Sequence, residues 1–154
     1  MSSPGNDAIG IFDSGIGGLT VFKEIRKKLP HETIIYLGDT ARVPYGIRSA
    51  QTVLKYSITN TEFLVRQRIK LLVIACNTAS AVATGALRQR FPMPIVDVIG
   101  PGARGAVVAT RNKHIGIIGT EGTIRSGAYQ QEVLRLDDSA RIFTAPCPLF
   151  VPMA

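Results

Sequence analysis

Three neighbouring residues, Cys76, Asn77 and Thr78, carry side chains that suit chemistry at the end of an apolar segment. Cys76 follows residues 71–75 directly, and an alanine-rich segment begins after it. If that segment is a helix, the thiol faces free backbone N–H groups and the positive end of the helix dipole, which lowers a thiol pKa. The donors of Asn77 and Thr78 suit a carboxylate. The pattern favours a reactive cysteine beside a carboxylate site over a small, buried apolar cysteine.

A glycine-rich turn at residues 13–18 is the second candidate. It reads Asp-Ser-Gly-Ile-Gly-Gly, without the GxGxxG spacing of a dinucleotide loop, and the sequence contains no GxxxxGK[ST]. The carboxylate of Asp13 would also repel a phosphate. The alternative is a tight connection between a strand and a helix, in which glycine supplies a positive φ.

The second cysteine and the two histidines give weaker signals. Cys147 lies between Pro146 and Pro148 rather than at a helix start, which favours a structural role. His31 and His114 do not cluster with other ligands, so no metal site is predicted. The sequence carries no cofactor motif, so no cofactor is predicted either. Two cysteines are too few for a disulfide scaffold.

Apolar β-branched segments alternate with segments of helical periodicity along the chain. This alternation predicts an α/β fold, with a mostly parallel sheet flanked by helices. The predicted strands are residues 8–12, 33–37, 71–75, 94–98, 114–118 and 141–145. The predicted helices are residues 18–29, 49–68, 77–89, 102–110 and 124–134, with residues 38–47 as a loop. In open parallel sheets ligands bind beyond the carboxyl ends of the strands, where the candidate residues lie.

Finer expectations concern buried helix faces and a domain boundary. The predicted apolar positions are Leu19, Phe22, Ile25 and Leu29 in the first helix, and Val53, Tyr56, Phe63 and Leu64 in the second. Ser49 is the predicted N-cap of the second helix. The Gly- and Pro-containing residues 99–102 indicate a hinge, which divides the chain into a first α/β domain at 1–98 and part of a second at 99–154.

Composition narrows the classes of function. The 154 residues include 18 Lys+Arg and 11 Asp+Glu, a formal charge of +7. The basic residues neither form long runs nor alternate with aromatic residues, so nucleic-acid binding is an unfavoured alternative. The longest apolar run has six residues, and the first residues lack a signal-peptide pattern. We therefore expect a cytoplasmic protein that does not span a membrane.

Several segments, taken in order, resemble glutamate racemases of the cofactor-independent aspartate/glutamate racemase superfamily. They are FDSGIGGLTV, GDTARVPYG, ACNTASA, VIGPG, IGIIGTEGTIRSGAY and CPLFVP. The second and the last favour glutamate racemases over the aspartate and hydantoin branches. The resemblance implies interconversion of L- and D-glutamate for peptidoglycan by two cysteines that transfer protons at Cα, without pyridoxal phosphate or metal.

The resemblance also implies roles for individual positions. Cys76 resembles the first catalytic cysteine, and Asp13 resembles the carboxylate that assists its proton transfer. The implied substrate-binding residues are Ser14, Pro44, Tyr45, Gly46, Asn77, Thr78 and Thr120. Residues 44–46 resemble a loop that closes over the substrate, and Thr120 resembles a contact from the second domain.

The resemblance implies a longer protein as well. The family's second catalytic cysteine lies in a GCTH motif, which is absent from these 154 residues. Cys147 does not replace it, because it belongs to CPLFVP, a segment that the family carries in addition. We therefore expect an N-terminal fragment or truncated form that racemises poorly. Whether it forms a homodimer is left undecided by the sequence. The alternatives are a non-catalytic domain that binds acidic amino acids and an aspartate racemase.

Overall fold

The computed structural model describes residues 7–150, which fold into two parallel sheets with helices on their faces. The strands are β1 (Ala8–Asp13), β2 (Ile34–Gly38), β3 (Ile69–Ile74), β4 (Ile95–Asp97), β5 (His114–Gly119) and β6 (Arg141–Pro146). The helices are α1 (Leu19–Lys28), α2 (Ala50–Arg66), α3 (Asn77–Arg90), α4 (Ile99–Ala109), α5 (Glu121–Ser126) and α6 (Ala128–Leu136). A short 3-10 helix at Tyr45–Ile47 precedes α2. The α/β fold with helix-flanked parallel sheets is confirmed.

The larger sheet has the strand order β2-β1-β3-β4, with all neighbours parallel. Its two faces bury different sets of side chains. Phe12 and Leu72 belong to a core shared with α2 and α3, whereas Ile11 and Val73 belong to a core that the residues of α1 cover. Apolar residues on both faces are expected where helices cover a parallel sheet on both sides.

The smaller sheet pairs β5 with β6 in parallel, and side chains of α4 and α6 pack with it in one core. Its core contains Ala103, Ile115, Val133 and Ala140. The strands before and after residue 98 thus lie in different sheets. The domain division at residues 98 and 99 stays a prediction.

The predicted apolar face of the first helix is only partly right. Phe22 and Ile25 pack against the sheet, but Leu19 and Leu29 are 46% and 45% exposed, because they lie at the two ends of α1. Val21 packs on the sheet beside Phe22 instead.

Helix α2 buries polar residues that an apolar pattern does not predict. Ser57 and Thr61 are fully buried because their hydroxyls donate to the carbonyls of Val53 and Ser57 one turn earlier, at 2.8 and 2.7 Å. Phe63, predicted to be buried, is 42% exposed. The predicted N-cap is confirmed, since Oγ of Ser49 accepts from the amide of Thr52.

Helix α4 starts earlier than predicted, because residues 99–102 form its first turn rather than a loop. Oδ1 of Asp97 accepts from the amides of Ile99 and Gly100, at 2.9 and 3.4 Å. Pro101 fits there, because amides in the first turn of a helix have no partner within the helix.

The predicted helix 124–134 is two helices, α5 and α6, with Gly127 between them at a φ of +68°. We expect Gly127→Ala to lower the free energy of unfolding by about 1 kcal/mol, because other residues rarely adopt this φ. Gly85→Ala, inside α3 with no atom within 4 Å of the added Cβ, is expected to raise it by up to about 1 kcal/mol. Urea unfolding measures the free energy of unfolding of both variants. Changes of the same sign would contradict the conclusion that Gly127, unlike Gly85, is needed for its backbone conformation.

Candidate active site

A cavity of about 1030 Å³ lies at the carboxyl ends of β1 and β3, bounded on its other side by α5 and α6. All nine predicted site residues line it: Asp13, Ser14, Pro44, Tyr45, Gly46, Cys76, Asn77, Thr78 and Thr120. The fold thus brings together four segments of the sequence, as the rule for open parallel sheets predicts.

Cys76 forms the N-cap of α3, between β3 and the helix. Its Sγ accepts from the amide of Ala79 and donates to Oγ of Ser14, both at 3.4 Å. The residue is only 5% exposed. The predicted position at a helix start is confirmed, and the thiol lies at the wall of the cavity.

The expected lowering of the thiol pKa is wrong. Burial raises the pKa of Cys76, and the negative charge of Asp13 raises it further. The hydrogen bonds with Ser14 and Ala79 act in the opposite direction but do not outweigh burial. The resting group is therefore a neutral thiol, and its thiolate, once formed, is a strong base.

Alkylation by iodoacetamide tests whether the pKa of Cys76 is raised. The experiment uses a Cys147→Ser variant, in which Cys76 is the remaining cysteine. Only the thiolate reacts. Because the pKa of Cys76 is raised, the rate should still rise with pH where that of a small free thiol has levelled off. Levelling off at a lower pH than the free thiol would contradict the raised pKa.

The glycine-rich turn holds Asp13 against the start of α1. Oδ2 of Asp13 accepts from the amides of Gly15 and Gly18, at 3.1 and 3.0 Å. A Cβ on Gly18 would lie 2.6 Å from Cβ of Asp13 and 2.9 Å from Cβ of Ala75. Among the described glycines a positive φ occurs at Gly127, so this turn needs glycine for close packing and not for the predicted positive φ.

Tyr36, which the sequence analysis did not single out, contacts the glycine-rich turn at residues 13–18. Its hydroxyl donates to the carbonyl of Gly15 at 3.1 Å. Burial and the charge of Asp13 raise the pKa of Tyr36 to about 12, so the hydroxyl keeps its proton at neutral pH.

The loop before α2 is fixed by a buried polar network around Tyr45. The hydroxyl of Tyr45 donates to Oδ2 of Asp39 and accepts from Nδ2 of Asn60 at 3.0 Å. Asp39 also accepts from Asn60 at 3.3 Å and pairs with Arg42 at 3.1 Å. Burial and Asp39 hold the pKa of Tyr45 well above its usual range. The hydroxyl is thus committed to the network, which the sequence did not predict.

The loop also touches the second half of the chain. A Cβ on Gly46 would lie 2.4 Å from Cβ of Thr120, so this contact allows no side chain at position 46. Pro44, which follows Val43 in a cis peptide bond, lines the cavity beside them.

Three threonine hydroxyls meet where α3 faces α5. Oγ1 of Thr78 lies 2.9 Å from that of Thr120 and 3.3 Å from that of Thr123, and the last two are 3.0 Å apart. Thr123 was missed, although its position three residues after the N-cap Thr120 places it beside that residue. The three hydroxyls form a mutually hydrogen-bonded cluster at the cavity wall.

Cys147 lies just after β6 and also lines the cavity. Its amide donates to the carbonyl of Gly119 at 2.7 Å, which continues the pairing of β5 with β6. Within residues 7–150, no three His, Cys, Asp or Glu side chains are grouped as metal ligands. In the same range, no helix is long and apolar enough to cross a membrane.

Comparison with known proteins finds a family match and close relatives. The family described as Asp/Glu/Hydantoin racemase matches residues 16–147. A glutamate racemase of Geobacter metallireducens is 59% identical over 147 residues, which are 96% of this chain and 54% of that protein. The chain therefore spans about half the length of the curated relatives it matches.

Solved structures agree with this result. Glutamate racemase isoform RacE1 from Bacillus anthracis matches with a TM-score of 0.92 and 43% identity, over 96% of this chain and 55% of that one. Glutamate racemase from Francisella tularensis, solved with D-glutamate, matches with a TM-score of 0.89 and 40% identity, over 96% and 56%.

Proposed function

Because the chain belongs to the Asp/Glu/hydantoin racemase family, we propose that it acts on Cα of glutamate, as part of a glutamate racemase that supplies D-glutamate for peptidoglycan in the cytoplasm. The observation that carries this proposal is the position of Cys76. Its thiol lies at the wall of a cavity, 3.4 Å from Oγ of Ser14. The carboxylate of Asp13 is near enough to raise the pKa of the thiol.

The donors around the thiol suit an amino acid with two carboxylates. Asn77 supplies an amide, and Thr78, Thr120 and Thr123 supply hydroxyls, all along the same cavity. These neutral donors hold an anion without cancelling its charge. The nearby carboxylate of Asp13 favours the ammonium group of the ligand.

The proposed step is a proton transfer between Sγ of Cys76 and Cα. In one direction the neutral thiol gives its proton to the carbanion and becomes a thiolate. In the other, Asp13 takes the thiol proton, and the thiolate then takes the proton from Cα. The raised pKa of Cys76 makes its thiolate a strong base, which suits a weakly acidic C–H bond.

Racemisation needs a second acid on the opposite face of Cα. We assign one face to Cys76 and no face to Cys147, because Cys147 belongs to a segment that the family carries in addition to its second catalytic cysteine. The proposed reaction of this chain is therefore exchange of the α-proton of one enantiomer, with slow racemisation.

Ligand protection tests the substrate. In the Cys147→Ser variant, D- or L-glutamate should slow alkylation of Cys76, and aspartate should do so less, because its side chain is one methylene shorter. Stronger protection by aspartate would favour an aspartate racemase. Absence of protection by either amino acid would contradict the proposal, and protection without α-proton exchange would favour a binding domain.

A further inference from the structure

Tyr129 of helix α6 contacts the first residue of α3. Its hydroxyl lies 2.7 Å from Oδ1 of Asn77, the first residue of α3, and 3.4 Å from the carbonyl oxygen of Val98. Asn77 follows Cys76 directly and lines the same cavity. The state of this amide therefore affects the place where a ligand would bind.

The distances indicate which group receives the hydroxyl proton. A separation of 2.7 Å is typical of O–H···O bonds, whereas N–H···O bonds are usually longer. The carbonyl of Val98 already accepts from the amide of Gly102 at 3.2 Å, so it does not need the proton. Tyr129 therefore donates to Oδ1 of Asn77. Burial and Asp97 raise the pKa of Tyr129, which keeps it a donor at neutral pH.

The ring of Tyr129 is held in place by helix packing. A Cβ on Gly102 would lie 2.9 Å from Cε1 of Tyr129, so the ring lies directly against the backbone of α4. Helices α4 and α6 pack closely along this line. The hydroxyl is thus presented to Asn77 from a fixed position.

We propose that Tyr129 is a positioning residue that fixes the Asn77 amide with its NH₂ group available to a ligand carboxylate. Within the described residues, Nδ2 of Asn77 makes no hydrogen bond to another protein group. With the amide reversed, its oxygen would face the carboxylate and repel it. This inference rests on the proposed function for the identity of the ligand, but the contact itself does not.

A double-mutant cycle measures the effect on binding. We expect Tyr129→Phe to weaken glutamate binding about 3- to 10-fold, the range for one hydrogen bond, when Asn77 is present. In an Asn77→Ala background the same change should have less than about a twofold effect, because independent sites add and coupled sites do not. Equal weakening in both backgrounds, or none in either, would overturn the proposal.

A second cycle needs no ligand. Asn77→Asp keeps an acceptor for the hydroxyl, so it should raise the urea midpoint more with Tyr129 than in Tyr129→Phe. Equal shifts in both backgrounds would mean that Tyr129 does not donate to residue 77 and would overturn the proposal. Lack of glutamate binding by every variant would refute the proposed function instead. The urea cycle alone would then test whether Tyr129 donates to residue 77.

Discussion

Replacing Cys76 with serine is expected to slow exchange of the α-proton of glutamate by about 10²–10⁴-fold, the usual contribution of a general acid or base. A serine hydroxyl is a much weaker acid than a thiol, so it cannot cycle between donor and base at Cα. Serine still accepts a hydrogen bond at an N-cap, so the contact with the amide of Ala79 can persist. Exchange is measured in D₂O by mass spectrometry of the recovered glutamate.

The matched control is Cys147→Ser, which removes the other cysteine that lines the cavity. It should leave the exchange rate within about twofold, because we assign Cys147 no face of Cα. Binding of glutamate by Cys76→Ser should also stay within a few-fold of the wild type. Loss of exchange in the Cys147 variant with retention in the Cys76 variant would reverse the assignment.

Replacing Asp39 with alanine is expected to lower the free energy of unfolding by about 2–4 kcal/mol, because buried groups lose a charged partner. Asp39 is 6% exposed, and its carboxylate contacts Tyr45, Asn60 and Arg42. Without it, the buried hydroxyl of Tyr45 has no acceptor. The loop at Tyr45–Ile47 should loosen, and glutamate affinity should fall with it.

The control for this change is Asp138→Ala, because Asp138 is exposed. Its effect on the free energy of unfolding should stay within about 0.5 kcal/mol. Urea unfolding gives both values, and glutamate titration gives the affinities. A loss below about 1 kcal/mol for Asp39→Ala would show that the network is not needed to hold the loop.

The sequence predicted the positions of the site residues well, because the topology of a parallel sheet places them. Asp13 is the last residue of β1 and Cys76 lies two residues after β3, and these adjacent parallel strands end at the same edge of the sheet. Their meeting required no knowledge of side-chain packing. The N-cap position of Ser49 was predictable for a similar reason, since capping by serine depends on local sequence.

Properties set by tertiary surroundings were not predictable from the sequence. The pKa of Cys76 depends on burial by segments distant in sequence, which outweighs the local helix start. The network of Asp39, Tyr45 and Asn60 joins residues from the loop to the middle of α2. The break at Gly127 needs a backbone conformation that a helical pattern of apolar residues does not encode.

The most direct test of the central claim is deuterium incorporation at Cα when D-glutamate and L-glutamate are incubated separately with the chain in D₂O. We predict incorporation into one enantiomer, with its configuration largely retained, and its loss in Cys76→Ser. Equal incorporation by wild type and Cys76→Ser would contradict the claim that Cys76 transfers the α-proton, and so would no incorporation by a chain that binds glutamate.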